Sequence, residues 1–333
     1  MAATTYNYAV GRIRALEPKL LGKDRIDRMV DANSPQDVLK ILSETDYAIA
    51  VSELKTPYEY EDMLSRELKG VYDLMQSISP NPDLTQLFFI NQDIHNVKVI
   101  LKSKYLKMEN PEPLMGVSTV PIDNIKKAID DNDYRDLPDY IAGALEILEN
   151  MLSTKVDPQK IDVVLDKAMY EHIFCICRDQ KDEFVKGYFE KKVDLVNIKT
   201  LLRVKRIGNG AEFLRHLLLP GGILNEDFFV QALDQPSEWL MNELKNSEYE
   251  RVIILGVQQF AKQGSLTLYE RLADDYLMDY IKAKKWESFG IAPIVAYILA
   301  KQNEIDLIRI IMVGKINNIP ADKISERLRD TYA

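Results

Sequence analysis

Hydrophobic and polar positions along this chain recur with the period of an α-helix, and one such pattern occurs three times. It reads DIHNVKVILKSK at residues 93–104, DLVNIKTLLRVK at residues 194–205 and, in a more altered form, EIDLIRIIMVGK at residues 304–315. In each copy the apolar positions lie on one stripe of a helix, with an acidic residue first and a lysine last. Copies roughly one hundred residues apart predict three versions of one structural unit.

Each of the three units has the same order of parts. An acidic amphipathic segment comes first, an apolar patch follows, and the repeated helix begins three to five residues later. The acidic segments are residues 60–64, 161–165 and 268–272, and the apolar patches are residues 87–90, 188–189 and 297–299.

Linkers rich in proline and glycine follow the first two repeated helices and mark the predicted domain boundaries. The first linker contains Asn110-Pro111-Glu112-Pro113, Gly116 and Pro121, and the second contains Pro220-Gly221-Gly222. A further helical segment follows each linker, at residues 122–128 and 226–233. From this pattern we predict three homologous helical domains at residues 1–113, 114–219 and 220–333.

The N-terminal 50 residues resemble the segment that follows the second linker. Residues 32–39 are similar to residues 232–240. The similar segments end at Asp46-Tyr47 and at Glu248-Tyr249. The C-terminal unit ends at residues 320–324, where a segment of this kind would begin. We therefore predict that the N-terminal segment lies beside the C-terminal unit and closes a ring of three.

Composition favours an all-α fold in every part of the chain. Glycine and proline number only 14 each among 333 residues, and leucine, isoleucine, lysine and glutamate are common. A net charge of -9 without a block of Lys and Arg disfavours nucleic-acid binding and direct docking on anionic lipid headgroups. The N-terminus resembles no signal peptide, and the longest uncharged stretch, residues 288–300, is too short to span a membrane. These features predict a cytoplasmic location.

Candidate chemistry is weak throughout the sequence. Cys175 and Cys177 are the only cysteines, so a thiolate-rich zinc site is excluded, and we expect both to be buried structural residues. Residues 130–133 are acidic, but no second cluster completes a magnesium site, and we interpret them as a solvated loop. No glycine-rich loop has the spacing of a phosphate site. We predict no catalytic residue, cofactor, metal site or direct small-molecule substrate.

The polar residues of the repeated helix have two readings that the sequence leaves open. Asn, Lys and Arg beside an apolar stripe can form hydrogen bonds with a neighbouring helix of the same chain. An acidic residue at the start of a helix and a basic residue at its end also interact favourably with the helix dipole. The same residues can instead contact a partner protein. The candidate partner contacts are Lys98, Lys102, Lys199, Arg203 and Arg309.

Three further segments carry a resemblance to a known family. They are Tyr8–Glu17 (YAVGRIRALE), residues 157–170 with Asp157-Pro158 leading to Leu165-Asp166-Lys167, and residues 293–301 (PIVAYILAK) followed by Glu304 and Arg309. In their order and span the chain resembles the C subunit of the archaeal and bacterial V-type (A-type) ATP synthases, whose eukaryotic relative is the d subunit. Leu307, where the other copies have asparagine, departs from the internal pattern.

This resemblance implies three helical domains in a pseudo-threefold funnel or collar. It implies a non-catalytic place in the central stalk, between the shaft subunits of the D and F type and the membrane proteolipid ring. The chain would be attached to the membrane peripherally, through the complex, and would pass torque between ATP turnover and ion translocation. The alternatives are a free-standing helical-repeat adaptor and an all-helical enzyme with an acidic metal site.

Overall fold

The described residues are predominantly α-helical, and the all-α class predicted from the sequence is confirmed. The computed structural model describes residues 5–107, 113–152 and 156–333, and within these ranges it has eighteen α-helices and no strand. The first linker is therefore described only from Pro113 onward. Two short 3₁₀ turns, at residues 17–19 and 57–59, complete the regular structure of the described residues.

The helices are α1 Tyr6–Leu16, α2 Lys23–Asp31, α3 Pro35–Leu42, α4 Ala48–Ser52, α5 Tyr60–Ile78, α6 Pro82–Gln86, α7 Ile90–Leu106, α8 Ile122–Asp131, α9 Asp139–Leu152, α10 Pro158–Gln180, α11 Glu183–Ile207, α12 Ala211–Leu217, α13 Glu226–Asp234, α14 Ser237–Glu243, α15 Glu250–Gln263, α16 Thr267–Lys282, α17 Ala292–Ile316 and α18 Ala321–Ser325. Local signals in the sequence set several of these ends. Asp182 caps the first turn of α11 by accepting a hydrogen bond from the Val185 N–H at 2.8 Å. Gly208, in the left-handed conformation, ends the same helix.

Each copy of the repeated pattern lies inside one long helix. The first copy is in α7, the second in α11 and the third in α17, which are 17, 25 and 25 residues long. Their apolar stripes are buried as predicted: Leu101 is 3% exposed and Leu202 is 1% exposed. The helical period read from the sequence therefore places the correct face of these helices inside.

The chain divides into two compact units. One unit comprises Met1–Pro82 and Gln235–Ala333, and the other comprises Asp83–Asp234. The first unit thus brings the two ends of the chain into one body. The division into domains 1–113, 114–219 and 220–333 and their pseudo-threefold arrangement stay predictions.

In the first unit, the N-terminal helices and α17 share one hydrophobic core. Met29 of α2 and Leu42 of α3 are fully buried in the same cluster as Ile308 and Ile311 of α17. The N-terminal segment therefore packs against the C-terminal repeated helix, the neighbour predicted for it from the sequence.

The sequence similarity between residues 32–47 and 232–249 extends to the geometry of one turn. After α3, the Thr45 hydroxyl donates to the Leu42 carbonyl at 2.6 Å and accepts from the Tyr47 N–H at 3.2 Å. After α14, Ser247 makes the same two bonds at the same distances, to Leu244 and Tyr249. Both tyrosines are buried.

In the second unit, aromatic residues pack where the sequence has its apolar patches. The ring of Phe88 stacks on Phe189 with centroids 5.1 Å apart and lies 5.7 Å from the ring of Tyr188.

None of the helices in the described residues is both long enough and apolar enough to span a membrane.

Candidate functional site: three polar clasps on the repeated helices

The acidic residue that opens the first repeated helix is buried and holds the chain that leads into α8. Asp93 has no exposed surface. Its carboxylate accepts hydrogen bonds from the Ser118 hydroxyl at 2.5 Å, from the Thr119 hydroxyl at 2.5 Å and from the Thr119 N–H at 2.7 Å. The Val120 N–H adds a longer bond of 3.3 Å, two residues before α8 begins. Asp93 therefore fixes the N-terminal end of α8 against α7.

The other two copies make the equivalent bond. Asp194 of α11 accepts from the Leu224 N–H at 3.0 Å, two residues before α13 begins. Glu304 of α17 accepts from the Leu21 N–H at 2.5 Å, two residues before α2 begins. The three docked helices α8, α13 and α2 are thus held at the same place, although α2 comes from the opposite end of the chain.

The lysine that closes each copy binds the far end of the same docked helix. In every copy its ammonium group donates to backbone carbonyls in the last turn, where the helix dipole is negative and carbonyls lack helical partners. The acceptors are Ile129 for Lys104, Ala232 at 2.8 Å and Leu233 at 2.7 Å for Lys205, and Val30 at 2.5 Å for Lys315.

The lengths of the partners match. Eleven positions separate the acid from the lysine in every copy, which corresponds to three helical turns and ~16.5 Å. The docked helices contain 10, 9 and 9 residues and are therefore ~14–15 Å long. We call each acid and lysine pair, with its bonds to the docked helix, a clasp. The first clasp is Asp93 and Lys104, the second is Asp194 and Lys205, and the third is Glu304 and Lys315.

A buried asparagine adds a third attachment in two of the copies. The Asn96 amide donates to the Met115 carbonyl at 3.1 Å and accepts from the Met115 N–H at 2.7 Å. Asn197 binds Leu219 in the same two-way manner, at 2.9 and 2.8 Å. The asparagine side chain thus pairs with the linker backbone as a peptide group would. In the third copy this position is Leu307, which is buried in the core shared with α2 and α3.

The second clasp explains one glycine. A Cβ atom on Gly222 would stand 2.2 Å from Oδ1 of Asp194 and 3.1 Å from Cγ1 of Val193. Only a residue without a side chain therefore allows the linker to approach the carboxylate this closely.

The third clasp contains more buried charge than the other two. Glu304 also accepts from the Tyr47 hydroxyl at 2.7 Å and pairs with Lys301 at 2.7 Å. Lys301 lies 3.3 Å from a carboxylate oxygen of Glu67 and 4.5 Å from the centre of the Tyr47 ring. These bonds compensate the desolvation of Lys301 and Glu304, which are both buried.

The pKa values of Asp93, of Lys205 and of Lys301, which lies beside the third clasp, are shifted from their ordinary values. Burial raises the pKa of Asp93 above its ordinary value, although the bonds from Ser118, Thr119 and Val120 oppose the shift. Burial lowers the pKa of the Lys205 ammonium group. For Lys301 burial acts in the same direction, but the carboxylates of Glu304 and Glu67 overcome it and raise the pKa.

Two of the five candidate contact residues from the sequence are paired with α10. Lys98 lies 2.6 Å from Asp166 and 3.9 Å from Asp162, and Lys102 lies 2.6 Å from Asp162. The side chains of these lysines are 19% and 27% exposed. The structure therefore brings Lys98 and Lys102 together on one carboxylate of the predicted acidic segment 161–165.

Arg309 makes the corresponding pair in the other unit. It binds Glu61 of α5 at 2.9 Å and Asp306 at 2.5 Å, and its side chain is 36% exposed. Glu61 belongs to the acidic segment 60–64, in the place that Asp162 has in the second unit. Lys199 is half-buried and Arg203 is exposed.

The sequence reading included the clasp residues in the repeated pattern but did not select them as a site. It assigned the acid and the lysine to the dipole of their own helix, whereas the structure shows them bound to a neighbouring helix. The signal was present, because acid, asparagine and terminal lysine recur at fixed spacing. Their backbone partners, however, carry no side-chain signature in the linkers.

The acidic run 130–133, expected to be a loop, lies partly in α8, which ends at Asp131, and Asn132 accepts a hydrogen bond from Lys104 of the first clasp at 3.0 Å. Cys177 is buried as expected, but the expectation that Cys175 is buried was wrong, because Cys175 is exposed on the same helix. Asp133 of the acidic run 130–133 binds Arg135 at 2.6 Å. Among the residues that the structure describes, no group of three His, Cys, Asp or Glu side chains is placed to hold a metal ion.

The chain matches known proteins along almost its whole length. Residues 9–327 match the family described as ATP synthase (C/AC39) subunit. The chain is 24% identical to the C subunit of the A-type ATP synthase of Methanocaldococcus jannaschii, over 97% of this chain and 86% of that protein. It is 27% identical to the corresponding C subunit of the A-type ATP synthase of Methanosphaera stadtmanae, over 97% of this chain and 87% of that protein.

A bacterial relative extends the similarity beyond the archaea. The chain is 23% identical to the C subunit of the V-type sodium ATPase of Enterococcus hirae, and the match covers 96% of this chain and 97% of that protein. Since the family match spans residues 9–327 of 333, the chain belongs to the ATP synthase (C/AC39) subunit family.

Proposed function

We propose that this chain is a non-catalytic central-stalk subunit of a rotary V/A-type ATPase or ATP synthase. In this proposal it is a socket that links the shaft subunits of the D and F type to the membrane proteolipid ring. It carries torque between ATP hydrolysis or synthesis and ion transport and takes no cofactor or small-molecule substrate of its own. Membership in the family supports a place in such a complex, because the relatives are named as subunits of ATP synthases and of an ATPase.

The observation that carries the socket proposal is the third clasp. Through Glu304 and Lys315, the last repeated helix holds the N-terminal helix α2 in the way that α7 holds α8. A chain that is tied between its own ends resists being pulled open, which a part under torque requires. We therefore propose that the three predicted domains form a closed, pseudo-threefold funnel or collar.

The clasps also supply stiffness. Each repeated helix is bonded near both ends of its docked helix, and the acids of all three copies are buried. Buried hydrogen bonds are costly to break without water to replace them. A load on a docked helix therefore moves the repeated helix with it.

We place the chain on the cytoplasmic side, attached to the membrane peripherally through the complex. The family supports this location, and so does the acidic composition, because a net charge of -9 opposes general adhesion to anionic lipid. Contact with the ring should accordingly be polar and weakened by salt.

The five basic residues stay proposed partner contacts. Lys98, Lys102 and Arg309 also pair with carboxylates of their own chain, so their loss alters internal bonds as well. Arg203 is the exposed member of the five, so a partner reaches it most easily. Arg203→Ala should reduce recovery of partners, whereas Arg251→Ala, at an exposed arginine outside the repeated helices, should not.

Recovery of partners tests the proposal against the adaptor alternative. The tagged chain is isolated from its own cells after gentle detergent extraction, and the associated proteins are identified. A stalk subunit returns ATPase shaft subunits together with the proteolipid. Recovery of neither, with the chain itself folded and abundant, would reject the stalk assignment.

A further inference from the structure

The loop between α16 and α17 presents two large aromatic side chains to solvent. We call residues 283–291 the aromatic loop. Trp286 is 86% exposed and Phe289 is 69% exposed. Burying side chains of this size is strongly favourable, so their joint exposure within four residues calls for a partner.

The aromatic loop has a folded backbone that keeps these side chains outside. The Lys284 N–H donates to the Ile281 carbonyl at 3.1 Å, and the Glu287 N–H donates to the Lys284 carbonyl at 3.0 Å. Arg14 of α1 donates to the Glu287 carbonyl at 2.6 Å. The exposure of both rings is therefore set by a backbone that is tied to a distant part of the same unit.

The C-terminal tail fixes the loop from another side. The ammonium group of Lys285 lies 5.1 Å from the centre of the Tyr332 ring and 3.4 Å from the Tyr332 carbonyl oxygen. The Tyr332 hydroxyl reaches Glu17, which also binds Arg14. These contacts join the loop, α1 and the tail into one support.

The charge around the aromatic rings is opposite to that of the whole chain. Lys282, Lys284 and Lys285 precede Trp286. Glu287, the one acid between residues 282 and 291, pairs with Lys284 at 2.5 Å, so the segment keeps a net positive charge. The chain as a whole has a net charge of -9. A locally basic, aromatic segment on an acidic protein favours an anionic partner at this place alone.

We propose that the aromatic loop inserts Trp286 and Phe289 into the headgroup region of a bilayer that contains anionic lipid. Aromatic rings at the water interface with lysine beside them are the composition of interfacial membrane anchors. Lysine is depleted from the centres of protein–protein interfaces, which makes a protein groove the poorer fit for this segment. In this contact Lys282 binds a lipid phosphate and Lys284 exchanges Glu287 for one, while Lys285 remains on Tyr332. The rings lie among the glycerol and upper acyl groups.

This contact is weak by itself and acts as a second attachment. Two aromatic side chains supply less buried apolar area than a lipid chain, and one such chain gives only marginal binding. The inference rests on the proposed function for one point, that the ATPase complex keeps the chain near a membrane. Tethering by the complex then raises the effective concentration of lipid at the loop.

Trp286 itself can report the contact. The chain has two tryptophans, so Trp239→Phe leaves Trp286 as the sole tryptophan reporter. The purified full-length variant is titrated with vesicles of phosphatidylcholine alone and of phosphatidylcholine mixed with phosphatidylglycerol. We expect a blue shift of Trp286 emission that is larger with the anionic vesicles and reduced at high salt.

Two variants in the same background sharpen the result. Phe289→Ser should lower the vesicle partition coefficient about tenfold, since it removes one large apolar side chain from the contact. Ile49→Ser should leave it unchanged, although Ile49 is 76% exposed in the same unit. Helix content by circular dichroism must match in all three proteins.

Unchanged Trp286 emission at the highest lipid concentration would overturn the proposal. So would a shift that appears only with purified ATPase subunits, because it would assign the loop to a protein partner. The vesicles contain no ATPase, so either result leaves the stalk assignment standing. A failure of the stalk assignment in the recovery experiment would not alter the vesicle measurement.

Discussion

Asn96 and Asn197 show how one side chain can determine the path of a linker. Each binds both backbone groups of a single linker residue, Met115 or Leu219. Each of these linker residues comes seven positions before the docked helix. Seven positions before α2 is Leu16, the last residue of α1, whose N–H is already bonded within that helix. An amide would have no such partner there, which accounts for Leu307.

Leu307→Asn should therefore destabilise the protein rather than restore the repeat. The new amide would enter the apolar core around α17 without a backbone partner, at a cost of ~1–3 kcal/mol in the free energy of unfolding. Urea unfolding followed by circular dichroism measures the effect. Asn197→Leu is the matched reverse change and should also destabilise, because it leaves both groups of Leu219 unpaired. A neutral or stabilising Leu307→Asn would contradict this reading of the third copy.

Asp93 gives the clasp a defined dependence on pH. Burial raises its pKa in the folded chain above the ordinary value of 3.8, so the folded state binds a proton where the unfolded state has released it. The resulting stability is fully present below pH 3.8 and is lost as the pH rises through the folded pKa. We predict that the wild type loses stability relative to Asp93→Asn over this range, as measured by urea midpoints at successive pH values.

Asp133 supplies a control of opposite sign in the same unit. Hydrogen bonds from Arg135 lower the pKa of Asp133 to about 2, so its contribution is present above pH 3.8 and is lost as the pH falls. Asp133→Asn should therefore change the pH profile in the reverse direction. Parallel profiles for Asp93→Asn and wild type would show that burial does not control the Asp93 carboxyl.

At the scale of the element, three helices of 9 or 10 residues depend on a longer neighbour. Helices this short are marginal alone, because nucleation is costly and few bonds repay it. The acid of each clasp binds an N–H two residues before the docked helix, and the lysine binds carbonyl groups of its last turn, which lack helical partners. The first two docked helices also follow their repeated helix in the chain, through a linker. Helix α2 has no such linker to α17 and is held against it by non-covalent contacts.

The third clasp should therefore be the most sensitive to loss of its acid. Glu304→Gln removes a carboxylate from Lys301 and leaves this buried ammonium group with Glu67, at a cost of ~3 kcal/mol. Native-state hydrogen exchange should then accelerate by roughly a hundredfold at Leu21 and through α2. Amides of α8, in the other unit, should keep their wild-type rates.

Glu326→Gln is the matched control for this experiment. It makes the same chemical change in the same unit, at an exposed acid whose partner is Lys323 at 2.6 Å. Exposed pairs contribute little, so the exchange of α2 should not change. If Glu304→Gln also leaves the Leu21 amide protected, the third clasp does not hold the N-terminal helix.

The long helices could be predicted from the sequence because their apolar stripes follow one period over many residues. The segments after the linkers were also found: α8 and α13 begin at Ile122 and Glu226, where the pattern located them. The clasps were not, since the acid and lysine bind backbone groups, and every residue has the same backbone. The pairing of Lys98 with α10 needed the tertiary fold for a similar reason, because 68 residues separate it from Asp166.

At the scale of the whole molecule, the proposal is that one chain makes a closed socket. The unit that contains both chain ends gives this proposal its physical basis, because the third clasp lies inside it. A single chain with internal repeats fixes the number of domains without relying on subunit association. Densely packed helices and buried bonds resist deformation, as the transmission of torque requires.

Coupling after removal and return of this chain tests the central claim most directly. Membranes that retain the ATPase complex but lack this chain are assayed for ATP-driven ion pumping, and the ATP hydrolysis of the detached soluble sector is measured in parallel. We predict that pumping is lost while hydrolysis persists, and that the purified protein restores pumping. Pumping that is equally strong with and without the chain would contradict the claim that it connects the shaft to the ring.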